Sequence, residues 1–98
     1  MTDDGEQLSF LRGPLPVSCQ VRMVVLPPLG TLAYQRRQWA DALVVVEYGT
    51  LEVECDSEVR ARFEAGAVLT FATLNPRRLL NPGTVPLVLS ALIRSSGR

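Results

Sequence analysis

Thr50-Leu51-Glu52-Val53-Glu54-Cys55-Asp56-Ser57-Glu58-Val59-Arg60-Ala61-Arg62-Phe63-Glu64 is the most regular stretch of the chain. Leu51, Val53 and Cys55 alternate with Glu52, Glu54 and Asp56. After the polar Asp56-Ser57-Glu58 connection, Val59, Ala61 and Phe63 alternate with Arg60, Arg62 and Glu64. A period of two sends each set of side chains to its own face of an extended chain, so the stretch reads as two half-buried strands joined in a hairpin. The acidic outer row then stands beside a basic one, a charge ladder worth on the order of tenths of a kcal/mol per pair.

Strand signals continue on both sides of this hairpin. Within Asp41 to Tyr48, the run Ala42-Leu43-Val44-Val45-Val46 is continuously apolar, as expected of a strand covered on both faces. Val17, Cys19, Val21, Met23 and Val25 alternate with polar Ser18, Gln20 and Arg22, which predicts a strand whose odd positions look inward. Pro27-Pro28-Leu29-Gly30 breaks it, and a second extended segment runs from Thr31 to an exposed Trp39. Past the hairpin, Ala65-Gly66, Asn75-Pro76 and Pro82-Gly83 are turns between Ala67 to Thr73, Arg77 to Asn81 and Pro86 to Arg94. In the last of these, Leu87, Leu89, Ala91 and Ile93 share one face. No segment carries the period of an amphipathic helix. About eight short strands separated by regular turn signals predict an all-β sandwich or barrel. Residues 1–16 read as an N-terminal arm, 17–94 as the β domain and 95–98 as a C-terminal tail.

Composition narrows the chemistry. At 98 residues there is room for one domain, and 47% apolar against 20% charged residues argues for a folded one. Ten cationic residues, all Arg, balance ten acidic ones, which disfavours a general nucleic-acid binder. The chain has no His, so the usual general base and the commonest metal ligand are both missing. It has no Lys either, which removes Schiff-base chemistry and a P-loop lysine. Cys19 and Cys55 are too few and too far apart for a metal knuckle or a disulfide framework and read as free core thiols. The acidic start Met1-Thr2-Asp3-Asp4-Gly5-Glu6 lacks the order of a signal peptide, and no apolar run approaches the ~20 residues of a membrane span. A cytoplasmic protein with no membrane partner is expected. Its small size, the two-sided run at Leu43 and Val45, Trp39 and the Pro-rich residues 13–16 predict a homodimer.

The spacing of Gly30, Gly49, Gly66 and Asn81 resembles the two motifs of the cupins, small double-sheet jelly-roll barrels. The resemblance implies about eight to ten short antiparallel strands. In the first cupin motif, counted from Gly30, the two histidine positions fall on Arg36 and Gln38, the glutamate position on Ala42 and the closing glycine on Gly49. In the second, Gly66 and Asn81 keep full spacing and Arg77 takes the histidine position, while Ala72 and Leu74 replace its Pro and Gly. Those ligand positions hold a divalent metal in cupins. Guanidinium offers only N–H donors, Ala42 offers nothing and Gln38 only a carbonyl, so the resemblance predicts a cupin-like domain with neither metal nor cofactor.

Read as a strand, Thr31 to Trp39 sends Leu32, Tyr34, Arg36 and Gln38 inward, and the same parity groups Arg77 with Leu79 and Asn81. Two arginines then converge in one cup. This predicts a small anionic or polar ligand bound by Arg36 and Arg77, with Gln38, Tyr34 and Tyr48 as polar helpers. Three alternatives stay open. The arginines could instead pair with Glu47, Asp41 or Glu64 at the barrel rim. Tyr34, Tyr48 and Glu47 could supply the acid and base of a metal-independent isomerase or cyclase. The domain could also be a dimeric interaction or regulatory module with no ligand. A nucleic-acid patch of Trp39, Arg36, Arg37, Arg77 and Arg78 is disfavoured by the zero net charge.

Overall fold

Eight strands and a single helical turn make up the structure, a computed structural model that describes residues 19–39 and 41–94. The arm expected at 1–16 and the tail at 95–98 lie outside the described residues. The elements are β1 (Cys19–Leu26), β2 (Thr31–Ala33), α1 (Arg36–Trp39), β3 (Leu43–Tyr48), β4 (Thr50–Cys55), β5 (Arg60–Glu64), β6 (Val68–Leu69), β7 (Pro76–Leu80) and β8 (Leu87–Arg94). They form two four-stranded antiparallel sheets, ordered β1-β8-β3-β6 and β2-β7-β4-β5. Only the β4–β5 hairpin stays within one sheet; each other pair of successive strands changes sheets. The expected all-β, double-sheet architecture is therefore present, as two facing ladders rather than one closed barrel.

The core lies between the sheets. Val44 and Val46 of β3 and Leu87, Leu89 and Ala91 of β8 meet Leu51, Val53 and Cys55 of β4 and Leu79 of β7, all buried. Each fully buried Val or Leu contributes about 1.5–3 kcal/mol relative to exposure. The alternation read in β4, β5 and β8 holds: Glu52 pairs in register with Arg62 and Glu54 with Arg60 on the outer side. Gly49 makes the sheet change from β3 to β4 possible. It adopts φ 85°, and a Cβ there would lie 2.6 Å from the Pro86 carbonyl oxygen, so both backbone and space require glycine. Asn81, also fully buried, joins two corners: its amide donates to the carbonyls of Leu26 (3.1 Å), Pro27 (3.1 Å) and Val85 (2.8 Å), and its Oδ1 accepts from Gly83 N–H (3.0 Å).

Two expectations are corrected. In β1 the faces are reversed: Val24 lies in register with Leu89 and Leu26 with Leu87, and these even positions look into the core while Met23 is 53% and Val25 61% exposed. Met23-Val24-Val25-Leu26 is apolar on both faces, so pairing with β8 rather than alternation sets the parity. Cys19, at an odd position, shares the outer face and is only half-buried. The second correction concerns Thr31 to Trp39, where the strand ends at Ala33 and α1 follows. The turn drives Trp39, expected to be exposed, to 1% exposure; burial of the largest apolar side chain outweighs local alternation.

Candidate functional site

A cavity of about 500 Å³ opens among the connections β2–α1, α1–β3, β4–β5 and β6–β7, lined by Tyr34 and Arg36, by Asp41, by Asp56, and by Phe71, Ala72, Asn75 and Pro76. Backbone contacts fix these walls. Tyr34 N–H donates to the Arg77 carbonyl (3.1 Å), extending the β2–β7 ladder to the cavity. Leu74 N–H donates to Phe71 C=O (3.0 Å) and Asp56 N–H to Asn75 C=O (3.0 Å), which ties the hairpin to the β6–β7 turn. Asn75 completes that turn at φ 50°, a conformation Asn tolerates better than most residues. It directly follows Leu74, which with Ala72 takes the positions of the cupin motif's Pro and Gly.

Aromatic rings form the inner wall. Tyr34 meets buried Phe71 edge-on with centroids 5.6 Å apart, and Trp39 meets Phe71 edge-on at 5.2 Å. Such pairs add about 0.5–1.5 kcal/mol beyond the area they bury. Arg22 of β1 closes the stack, its guanidinium carbon 4.8 Å from the Trp39 ring centre and one nitrogen donating to the Gln38 carbonyl (3.2 Å). Burial pushes the Tyr34 hydroxyl above its ordinary pKa, against the opposing pull of the Arg36 charge. Tyr34 is thus a neutral hydroxyl at physiological pH, able to donate a hydrogen bond.

Of the five residues expected to bind ligand, Tyr34 and Arg36 line the cavity, whereas Gln38, Tyr48 and Arg77 do not. Gln38 is exposed on α1 because the helical turn replaces the strand that aimed it inward. Tyr48 is exposed at the end of β3. Arg77 departs from the Leu79 parity because the β4–β7 register shifts between Glu54 and Cys55. The guanidinium lies 3.9 Å from both Glu54 and Asp56 and donates to the Asp56 carbonyl (3.4 Å). Arg36 and Arg77 therefore do not converge. Nor do the acid and base candidates assemble: Glu47 is buried and accepts a hydrogen bond from Ser90, away from Tyr34. Glu64 accepts instead from Thr50 (2.9 Å). Asp41, Asp56 and Phe71 were not predicted as binding residues; they enter the cavity through connections, which carry no periodicity.

The fold with this geometry is that of the cupins. It is similar to a cupin domain of an XRE-family transcriptional regulator from Enterobacter cloacae, at TM-score 0.63 and 20% identity over 80% of this chain and 82% of that one. A cupin conserved barrel domain protein from Salinispora arenicola matches at TM-score 0.62 and 17% identity, over 86% of this chain and 71% of that one. A cupin domain from Bordetella pertussis matches at TM-score 0.61 and 21% identity, over 80% and 82%. No protein-family model and no curated protein matches the sequence. The double-sheet fold implied by the glycine and asparagine spacing is thereby shown. Among the described residues, no group of three or more His, Cys, Asp or Glu side chains is placed to hold a metal ion, and no helix is long and apolar enough to cross a membrane.

Proposed function

We propose that this chain is a cupin-fold domain that binds a small polar or anionic molecule in the cavity at Tyr34, Arg36 and Phe71, without a metal ion. The observation that carries the reading is an arginine with no ion-pair partner among the described residues, set beside an aromatic wall in a cavity of about 500 Å³. That volume falls within the roughly 300–1,000 Å³ of small-molecule sites. A divalent metal does not fit the donors at the cupin positions. Arg36 presents only N–H groups, Ala42 has no side-chain donor atom, Arg77 also offers only N–H groups, and neither Gln38 nor Arg77 lines the cavity. Arg77 acts indirectly, holding Asp56 at the rim.

A sensing role is favoured over catalysis. The cavity lining has no His, Cys or Lys, and the Enterobacter cloacae neighbour is a domain of a transcriptional regulator. The test is a thermal-shift screen with organic acids. A ligand at a hundred times its dissociation constant adds about 2.7 kcal/mol and raises the midpoint by roughly 10 °C or more. Arg36→Gln abolishes the shift, whereas Arg77→Gln leaves most of it. No shift across a broad panel overturns the reading.

A second reading, compatible with the first, rests on the outer face of the β1-β8-β3-β6 sheet. Val21, Met23, Val25, Leu43 and Val68 are exposed there in rows set by the strand register. Exposed apolar side chains grouped on one sheet face fit association, and a second copy of this chain is the occupant we propose.

A further inference from the structure

Some of the charges lining the cavity are already engaged. Asp56 lies 3.9 Å from Arg77, which also reaches Glu54. Arg36 and Asp41 line the same cavity, yet among the described residues neither has an ion-pair partner, and they do not pair with each other. In the chain they flank buried Trp39, whose carbonyl accepts the Ala42 N–H at 3.0 Å and so closes the turn between them. Two opposite charges therefore face one space without neutralising each other.

This arrangement selects among guests. A pure carboxylate on Arg36 brings its charge toward that of Asp41, and a pure amine on Asp41 brings its charge toward Arg36. Either guest also displaces water from the charge it leaves unpaired. A guest carrying both signs satisfies both groups, while Tyr34 and Phe71 supply an apolar edge for its remainder. Taking the cavity as the ligand site proposed above, we infer that its ligand class is a small zwitterion of the amino-acid type, carboxylate on Arg36, ammonium on Asp41 and apolar side chain along Tyr34 and Phe71.

The test uses matched triplets titrated into the purified chain by calorimetry. One triplet is phenylalanine, 3-phenylpropionate and phenethylamine; the other is leucine, 4-methylpentanoate and 3-methylbutylamine. In at least one triplet the zwitterion binds about tenfold or more tighter than both single-charge analogues. Asp41→Asn removes that preference by weakening the zwitterion and raising the carboxylate's affinity, since the like charge is gone, whereas Arg36→Gln weakens the zwitterion and the carboxylate alike. Both side chains are exposed, so both variants are expected to fold, checked by an unchanged melting midpoint. If a single-charge analogue binds as tightly as its zwitterion, or Asp41→Asn leaves the preference intact, the inference fails while the small-ligand reading stands. If no member of either triplet binds and no organic acid shifts the melting midpoint, both fall.

Discussion

The two sheets bury similar inner faces but present opposite outer ones. Outside β2-β7-β4-β5, Glu52 is 3.5 Å from Arg60 and 3.7 Å from Arg62, and Arg78 donates to Glu54 from Nε at 2.8 Å. That face is finished toward water by charge. Outside β1-β8-β3-β6 the same register rows carry Val21, Met23, Val25, Leu43, Val45 and Val68 around Ser90 and Glu47. Val45 is only 1% exposed, although Met23 is 53% and Val25 61% exposed. One face carries paired charges and the other apolar side chains, so equal substitutions on the two should have unequal costs.

The largest effect is expected at the centre of the apolar face. Val45→Asp places a charge where almost no water reaches, and urea unfolding should show a loss of about 2–4 kcal/mol. On the charged face, Arg60→Ala should cost less than about 1 kcal/mol, because an exposed ion pair gains little over water. Similar losses for the two variants would mean that the outer faces are not different in kind. Next in size is the effect on assembly. At micromolar concentration, sedimentation equilibrium should give the wild-type chain twice its own mass, and Met23→Glu with Val25→Glu should weaken association about a hundredfold. A wild-type chain that stays monomeric throughout that range removes the second copy from the reading.

The same contrast explains what could be read from the sequence. Strands β4 and β5 were legible with the correct faces because each alternates apolar residues with charges. In β8 the inner face is Leu87, Leu89 and Ala91 as read, although of the outer positions Val88, Ser90 and Leu92 only Ser90 is polar. Strand β1 was found but reversed, since its apolar half has no polar face to mark the outside. At Thr31 to Trp39 the deciding fact is tertiary: Trp39 has a ring partner in Phe71, 32 positions along the chain, at 5.2 Å. That packing swings Gln38 out yet leaves Tyr34 and Arg36 lining the cavity, although the strand parity that groups them inward is absent from the structure. Arg77 was misplaced by one register shift, which no spacing announces. Phe71, Asp41 and Asp56 come from connections, where position depends on turns such as that at Asn75 rather than on any repeat.

The smallest expected effect separates the two faces by pH. The hydrogen bond from Arg78 is the main force holding the Glu54 carboxyl below its ordinary value of 4.5; desolvation opposes it, and the charges of Arg78, Arg60 and Arg77 add to the lowering. In acid the unfolded chain then takes up a proton before the folded one does. The stability contributed by this group is fully present above the ordinary value and is lost as pH falls through the depressed folded one. Glu54→Gln should therefore lower the urea midpoint slightly at neutral pH, and the gap from wild type should close as pH falls below about 4.5. A gap that stays constant down to about pH 3 would assign the loss to packing rather than charge. Among the described residues the ladder of paired charges lies on this face, so a substitution such as Val25→Ala on the opposite face should cost nearly the same at every pH. That difference in slope, rather than in size, distinguishes a face held by ion pairs from one held by apolar contact.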